Sequence, residues 1–323
     1  MTVSKPKNAT LIDILSDGYT TVNRRPWLVI IPLILNLYIA YGAQLSFAPL
    51  FERFGSFADR MQAAAPEAQQ SDVSTAELLA TLGRTDWRQG LAVLNFVPTL
   101  PVNQLVRDDV AVTEISAIPT LLLAFVLINL AALPTSAVFL SLVADSVRGM
   151  PVEALEWWRR APQIGLAILA YIAIYAAVGL MLGLPFLFLT GLLMSFSPPI
   201  GALALTVILF AVFWIGIYIG FANEAIALHA HGPLQALRTS FNLVRRNFWA
   251  TIGFLALAGF LIPSGSAIIW QAIAGSSVGM FGAVIGSAYI GSGLAVARML
   301  FVHEYMRRAV SDAVPAQSMN TRL

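Results

Sequence analysis

The chain has 323 residues, of which 58% are hydrophobic and only 11% charged, and its mean hydropathy is +0.77. Soluble domains carry about 25% charged and 45–50% apolar residues, so a water-soluble globule is excluded and lipid must solvate much of the surface. The net charge of +2 does not point to nucleic acid, because the basic residues lie beside apolar runs; with no cysteine, disulfides and thiolate sites are excluded too.

In chain order, Leu11–Arg24 comes first. Its apolar residues Ile12, Leu15, Tyr19 and Val22 recur at helical spacing and predict an amphipathic helix. A first span is expected at Leu28–Phe47. The outer segment Ala48–Glu114 follows as a small cap. In it, Ser74 and Glu77 suggest a capping box before a helix at Ala76–Leu82. Leu91–Val102 is apolar but broken by Pro98 and Pro101, and is expected to rest on or in the interface rather than cross. A second span at Ile118–Ala144 carries Pro134, and a basic linker Pro151–Pro162 leads to a third at Ile164–Leu184. Pro185 is expected to end that span, leaving Phe186–Phe196 as an apolar extension. The fourth is Ile200–Ala222. A second basic amphipathic helix at Leu234–Arg246 precedes the fifth, Ala250–Ser264 extending to Ile269, which Pro263 and Gly265 weaken. The sixth is Val278–Phe301. A helix needs about 20 apolar residues to cross, and backbone in lipid must bond internally, so the spans are read as helices.

Basic residues fix the expected orientation. With the amino terminus inside, the inner segments hold Lys5, Lys7, Arg24, Arg25, Arg148, Arg159, Arg160, Arg238, Arg245, Arg246, Arg298, Arg307, Arg308 and Arg322. The outer segments hold only Arg53, Arg60, Arg84, Arg88 and Arg107. That bias predicts a cell-membrane protein with both termini cytoplasmic.

A repeat is also legible. Leu11–Leu28 lies over Pro233–Ala250 without a gap, matching Leu15 with Leu237, Tyr19 with Phe241, Val22 with Val244, Arg24 with Arg246 and Trp27 with Trp249. Pro151–Pro162 is a shorter third copy. The expected fold is an all-α membrane protein in one integral domain, 1–323. Its six transmembrane helices form three hairpins, each preceded by a cytoplasmic interfacial amphipathic helix, with repeat-like units at 11–47, 151–230 and 233–302 and the cap at 48–114.

The run Glu224–Leu255, with its acidic residue, short linker, Ala-Leu pair and Arg-Asn-Phe-Trp entry into a span, resembles bacterial membrane proteins similar to the domain that accompanies glycerophosphoryl diester phosphodiesterase. The resemblance implies a helical membrane domain. That family's separate catalytic barrel has no counterpart here, so no phosphodiesterase activity is implied.

The polar residues near the inner span ends form the candidate cluster: Glu224, His229, His231, Arg298, His303 and Glu304. Glu224 and His231 share a helix face, and Glu224 is expected to neutralise Arg298. A zinc site or a proton relay is the sharper alternative, although no metal-binding spacing is present. Asn36, Asn129 and Gln271 are expected to bond neighbouring helices. Gly275, Gly279, Ala283, Ser287, Gly291 and Ala295 recur every four residues and are expected to receive another helix. Gly275–Gly279 has the Gly-x-Ser-x-Gly form, but Ser277 would lie across the membrane from every histidine, which argues against a hydrolase elbow. No catalytic, cofactor or metal set is predicted. The expected role is that of a non-enzymatic scaffold, assembly or lipid-interacting component whose partners are the bilayer and its anionic headgroups. The alternative is a transporter or channel for a lipid-like or small solute.

Overall fold

The computed structural model describes residues 9–64, 79, 81–101, 110–150, 154–229 and 232–313. The chain is mostly helical, and five helices are long and apolar enough to cross a membrane: Ile118–Val147, Trp157–Phe196, Pro198–His229, Phe248–Ile273 and Ser277–Arg308. The expected first span is shorter. It comprises a 3₁₀ turn at Pro26–Val29 and helix α2, Ile30–Tyr41, and stops at Gly42 because the chain turns into strand β1, Gln44–Ser46. At 1.5 Å per residue the apolar helix Pro26–Tyr41 covers about 24 Å, somewhat under a hydrocarbon core of about 30 Å.

Contacts divide the chain into two compact units. One is drawn from Val29–Ser136 and Pro263–Ser292. It holds α2, β1, α3 (Ala48–Ala64), α4 (Arg88–Leu91) and β2 (Val112–Glu114). It also contains the first part of α5 (Ile118–Val147), most of α11 (Ile262–Ile273) and the start of α12 (Ser277–Ala313). The strands were not expected. They pair in parallel, Gln44 opposite Val112 and Ser46 opposite Glu114, and at three residues each they are too short to leave a periodic signal. Two apolar clusters hold this unit: Leu45, Phe47, Leu50 and Ile115 under Trp87, and Ala40, Leu100, Met280, Ala283 and Val284. The expected cap helix Ala76–Leu82 and its capping box lie almost wholly outside the described residues.

The other unit is drawn from Met1–Leu28, Ala137–Ile262 and Gly293–Leu323. Helix α1 (Leu11–Arg24) opens on a capping box, with Thr10 Oγ1 accepting from the Asp13 amide and the Thr10 amide donating to Asp13 Oδ2. Here too are α6 (Ala154–Phe196), α7 (Pro198–Ile219), α8 (Ala222–His229), α9 (Pro233–Arg246) and α10 (Phe248–Phe254). Phe221, Phe254 and Phe301 form its aromatic centre, with the closest rings 4.5 Å apart.

Four expectations are corrected here. Pro185 does not end the third span; α6 runs on to Phe196 and the chain turns at Ser197, where Pro198 and Pro199 open α7 and lack only N–H donors that a helix start would leave unused. The residues after Pro185 are themselves mostly apolar and exposed, and by staying helical they keep their backbone bonds internal, as a lipid setting requires. The basic linker before that span is no separate helix in its described part, because α6 already begins at Ala154 and passes through Pro162. The fifth span is not cut at Pro263. A π-helical turn over Leu255–Leu261 widens the helix just before it, and Pro263 would otherwise press on the carbonyl one turn back. Finally, the buried faces of α1 and α9 are rotated from the expected stripe. They run through Ile14, Gly18 and Val22, and through Ala236, Ser240, Leu243 and Val244, while Ile12 and Leu234 are exposed.

Candidate functional site

The predicted polar cluster divides. Glu224 and Arg298 meet: Arg298 donates from Nε to Glu224 Oε1 at 2.6 Å and from Nη2 to the Gly220 carbonyl at 2.7 Å, with its guanidinium 5.1 Å above the Phe221 ring. Gly220 sits where α7 gives way to α8, so Arg298 satisfies a carbonyl that the helix end leaves orphaned. Glu224 is buried, and its second oxygen has no hydrogen-bond partner among the described residues.

Glu304 does not join that pair. Its carboxylate accepts from Arg307 at 2.9 Å and from Arg308 at 2.9 Å, one turn further along α12. His303 is half-buried, and His231 lies outside the described residues. His229 lines a separate cavity of about 350 Å³ with Arg148, Arg160 and Gln163. Behind those arginines is a residue that sequence reasoning passed over. Asp145, buried, accepts from Arg148 at 2.9 Å and from Arg160 at 2.6 Å. Among the described residues, no three of the His, Cys, Asp and Glu side chains come together as a metal site would require.

A different feature has the more elaborate construction. The segment 92–101 is not helical, yet it lies deep among helices. Asn129 Oδ1 accepts the Leu94 amide at 2.9 Å while its Nδ2 donates to the Leu91 carbonyl at 2.7 Å. Ser136 Oγ accepts the Phe96 amide at 2.8 Å, and Asn36 Oδ1 accepts that of Leu100 at 2.7 Å. Asn95 brackets Val97 on both sides, accepting from its amide and donating to its carbonyl. Pro98 and Pro101 bring no N–H to satisfy. On the other flank, Ser287 donates to the Thr99 carbonyl at 3.5 Å and Gly291 lies against the Pro98 ring, where any side chain would collide. Ser136 is about 27 Å along α5 from Ile118, and Gly291 about 21 Å along α12 from Ser277. Irregular backbone at that depth among apolar helices persists only when protein groups satisfy it.

This corrects two readings of the sequence. Asn36 bonds this loop rather than a neighbouring helix, Asn129 bonds both the loop and the last residue of helix α4, and Gln271 is exposed. The small-residue ribbon on α12 receives the loop at Ser287 and Gly291, while at Ala283 it packs in a cluster with Ala40 of helix α2. Two residues further on from Gly291, in the other unit, Gly293 does lie against a helix, α1, at Tyr19.

Arg88 pins the entry to the loop. Its Nε and Nη2 donate to Asp86, the shortest contact being 2.7 Å; Nη1 donates to the carbonyls of Tyr38 and Gly42, and Nη2 also to that of Ile39. It therefore caps the carbonyl end of α2 while Asp86 neutralises it, and both residues are buried. Beside it lies a cavity of about 380 Å³ between α2, the loop and α5, walled by aliphatic side chains with Gln89, Asn95, Thr99 and Thr135 as its polar points. Sequence reasoning missed this site. The available signal was the coincidence of two in-span amides with an apolar, proline-broken segment too short to cross.

Comparison with protein-family models, curated proteins and solved structures gives no match.

Proposed function

We propose that this chain is a multi-pass protein of the cell membrane, with both termini cytoplasmic, that acts without catalysis as a scaffold, assembly or lipid-organising component. Its short apolar helix Pro26–Tyr41 would complete six crossings in three hairpins, and α1 and α9 would lie along the cytoplasmic interface. One observation carries this reading. The two helices correspond position by position, in environment as well as sequence: Ile14 with Ala236, Gly18 with Ser240 and Val22 with Val244 are buried, while Ile12 with Leu234, Arg24 with Arg246 and Trp27 with Trp249 are exposed. Both end alike. The Arg25 amide bonds the carbonyls of Thr21 and Val22, and the Asn247 amide those of Leu243 and Val244. An internal repeat that twice presents arginine and tryptophan at the mouth of an apolar helix suits an interface rich in anionic lipid, where each arginine contributes about 1 kcal/mol. The likeness of Glu224–Leu255 to the membrane domain that accompanies a phosphodiesterase supports location alone. The test is lipid analysis of the purified protein: replacing Arg24, Arg25, Arg245 and Arg246 by Gln should deplete co-purifying anionic phospholipid, and an unchanged lipid profile rejects the reading.

A second reading is favoured by the loop and its cavity. In it the chain handles a lipid-like or small solute as a transporter or channel.

A further inference from the structure

We propose that the cavity beside the 92–101 loop binds an uncharged amphiphile, a hydroxyl-bearing chain such as a long-chain alcohol or monoacylglycerol, which enters sideways from the bilayer. The proposal rests on the second reading above and gives it a ligand class.

Charge is excluded first. Among the described residues Arg88 is the one cation on the wall, and every N–H of its guanidinium is engaged by Asp86 or by the carbonyls ending α2. An anion would find no spare N–H on Arg88 and only neutral donors elsewhere, and drawing Arg88 away would strand those carbonyls in an apolar setting. Among the described residues no carboxylate lines the cavity; Asp86 lies behind it, committed to Arg88 and to the Leu45 amide. A cation therefore has no counter-ion. Burying either charge without a partner is costly.

The polar points left on the wall are neutral and offer both donors and acceptors. Gln89 uses one N–H of its Nε2 on the Leu100 carbonyl at 3.3 Å, which leaves its Oε1 to accept and its second N–H to donate. Thr135 donates its hydroxyl to the Ala131 carbonyl at 2.8 Å, which leaves its oxygen as an acceptor. A ligand hydroxyl, one donor and an acceptor at once, can donate to one of these oxygens and accept from an amide N–H. The remainder of the wall, including Leu35, Ile39 and Ile128, is apolar and suits a hydrocarbon body, and about 380 Å³ lies in the range of small-ligand sites.

The route follows from exposure. Ala131 and Thr135 line the cavity yet are exposed on α5, and Leu127 beside them is 54% exposed. That side of the cavity therefore opens onto whatever surrounds an apolar helix, which in a bilayer is hydrocarbon. The loop wall opposite is fixed by Asn36, Asn129 and Ser136, so the site is preorganised.

The test uses the full chain in phosphatidylcholine nanodiscs and three probes of one chain length: 1-decanol, decanoate and decylammonium. Saturation-transfer NMR should show saturable binding of decanol and none of the two ions beyond partition into empty nanodiscs. Thr135→Val, which keeps the shape and removes the acceptor, should weaken decanol binding about tenfold, equivalent to 1.4 kcal/mol. Ala131→Phe, at an exposed position, should abolish it. Equal binding of the ions, or decanol binding unaffected by both substitutions, overturns the proposal. Solute flux in proteoliposomes separates the two ideas. Decanol binding without flux removes the transport reading and leaves the site, whereas flux that neither substitution alters removes the site and leaves transport.

Discussion

Arg88, Arg298 and Arg308 are each held in the same three ways: by a carboxylate, by a backbone carbonyl and by an aromatic face. Arg88 has Asp86, the carbonyls ending α2 and Tyr38 at 5.2 Å. Arg298 has Glu224, Gly220 and Phe221; Arg308 has Glu304, the Ala9 carbonyl and Tyr305 at 4.7 Å. A planar guanidinium can meet all three at once, whereas an ammonium cannot, so Arg and Lys are not interchangeable here. We expect Arg88→Ala to destabilise the protein by about 3–5 kcal/mol, because Asp86 is left buried and unpaired. The double substitution Asp86→Ala with Arg88→Met should cost less than the single one. Thermal unfolding in detergent reads both, and a double variant weaker than Arg88→Ala would refute the argument. The Glu224–Arg298 pair was legible in the sequence because both residues stand near the expected inner ends of spans that can neighbour each other. Asp86 and Asp145 were not, since nothing local in the sequence distinguishes a buried acid from one in a solvated turn.

Among the elements, the long spans were readable from apolar length alone, whereas their ends were not. Prolines 185 and 263 look like terminators in sequence, but in apolar surroundings the alternative to a distorted helix is bare backbone, and the helix continues. The loop escaped notice for a related reason. An asparagine within a span reads as glue between helices, and only the structure pairs Asn36, Asn129 and Ser136 with amides 35–64 residues away. We expect Asn129→Leu to destabilise the protein by about 1–3 kcal/mol for each group it strips, the Leu94 amide and the Leu91 carbonyl. Hydrogen exchange should quicken at Leu94 and Phe96 while the amides of α7 stay protected; unchanged exchange at Leu94 would show that the bond does not hold the loop. Gly291→Leu should act on the same segment from the opposite flank by pushing Pro98 aside, lowering the melting temperature without altering helix content by circular dichroism.

For the molecule as a whole, the proposed six crossings have a direct check. A reporter fused after Ala309 should be active only as a cytoplasmic fusion, and one inserted at Gln69 only as an external one; the reverse at either place removes the orientation. Helix α6 adds a constraint at this scale. Its 43 residues extend about 64 Å, roughly twice the hydrocarbon core of about 30 Å, so much of it must lie outside that core or run tilted within it. The loop, finally, says something about the order in which the chain is made. Synthesis runs from the amino end, and amides cannot wait bare in lipid. The side-chain acceptors for Leu94, Phe96 and Leu100 come from Asn129, Ser136 and Asn36, all present once α5 has emerged. Ser287 and Gly291 arrive some 150 residues later and only close the far flank. A ribosome paused just past α5 has thus already released every side-chain acceptor those three amides use, and the remaining helices assemble around a loop whose place is taken early.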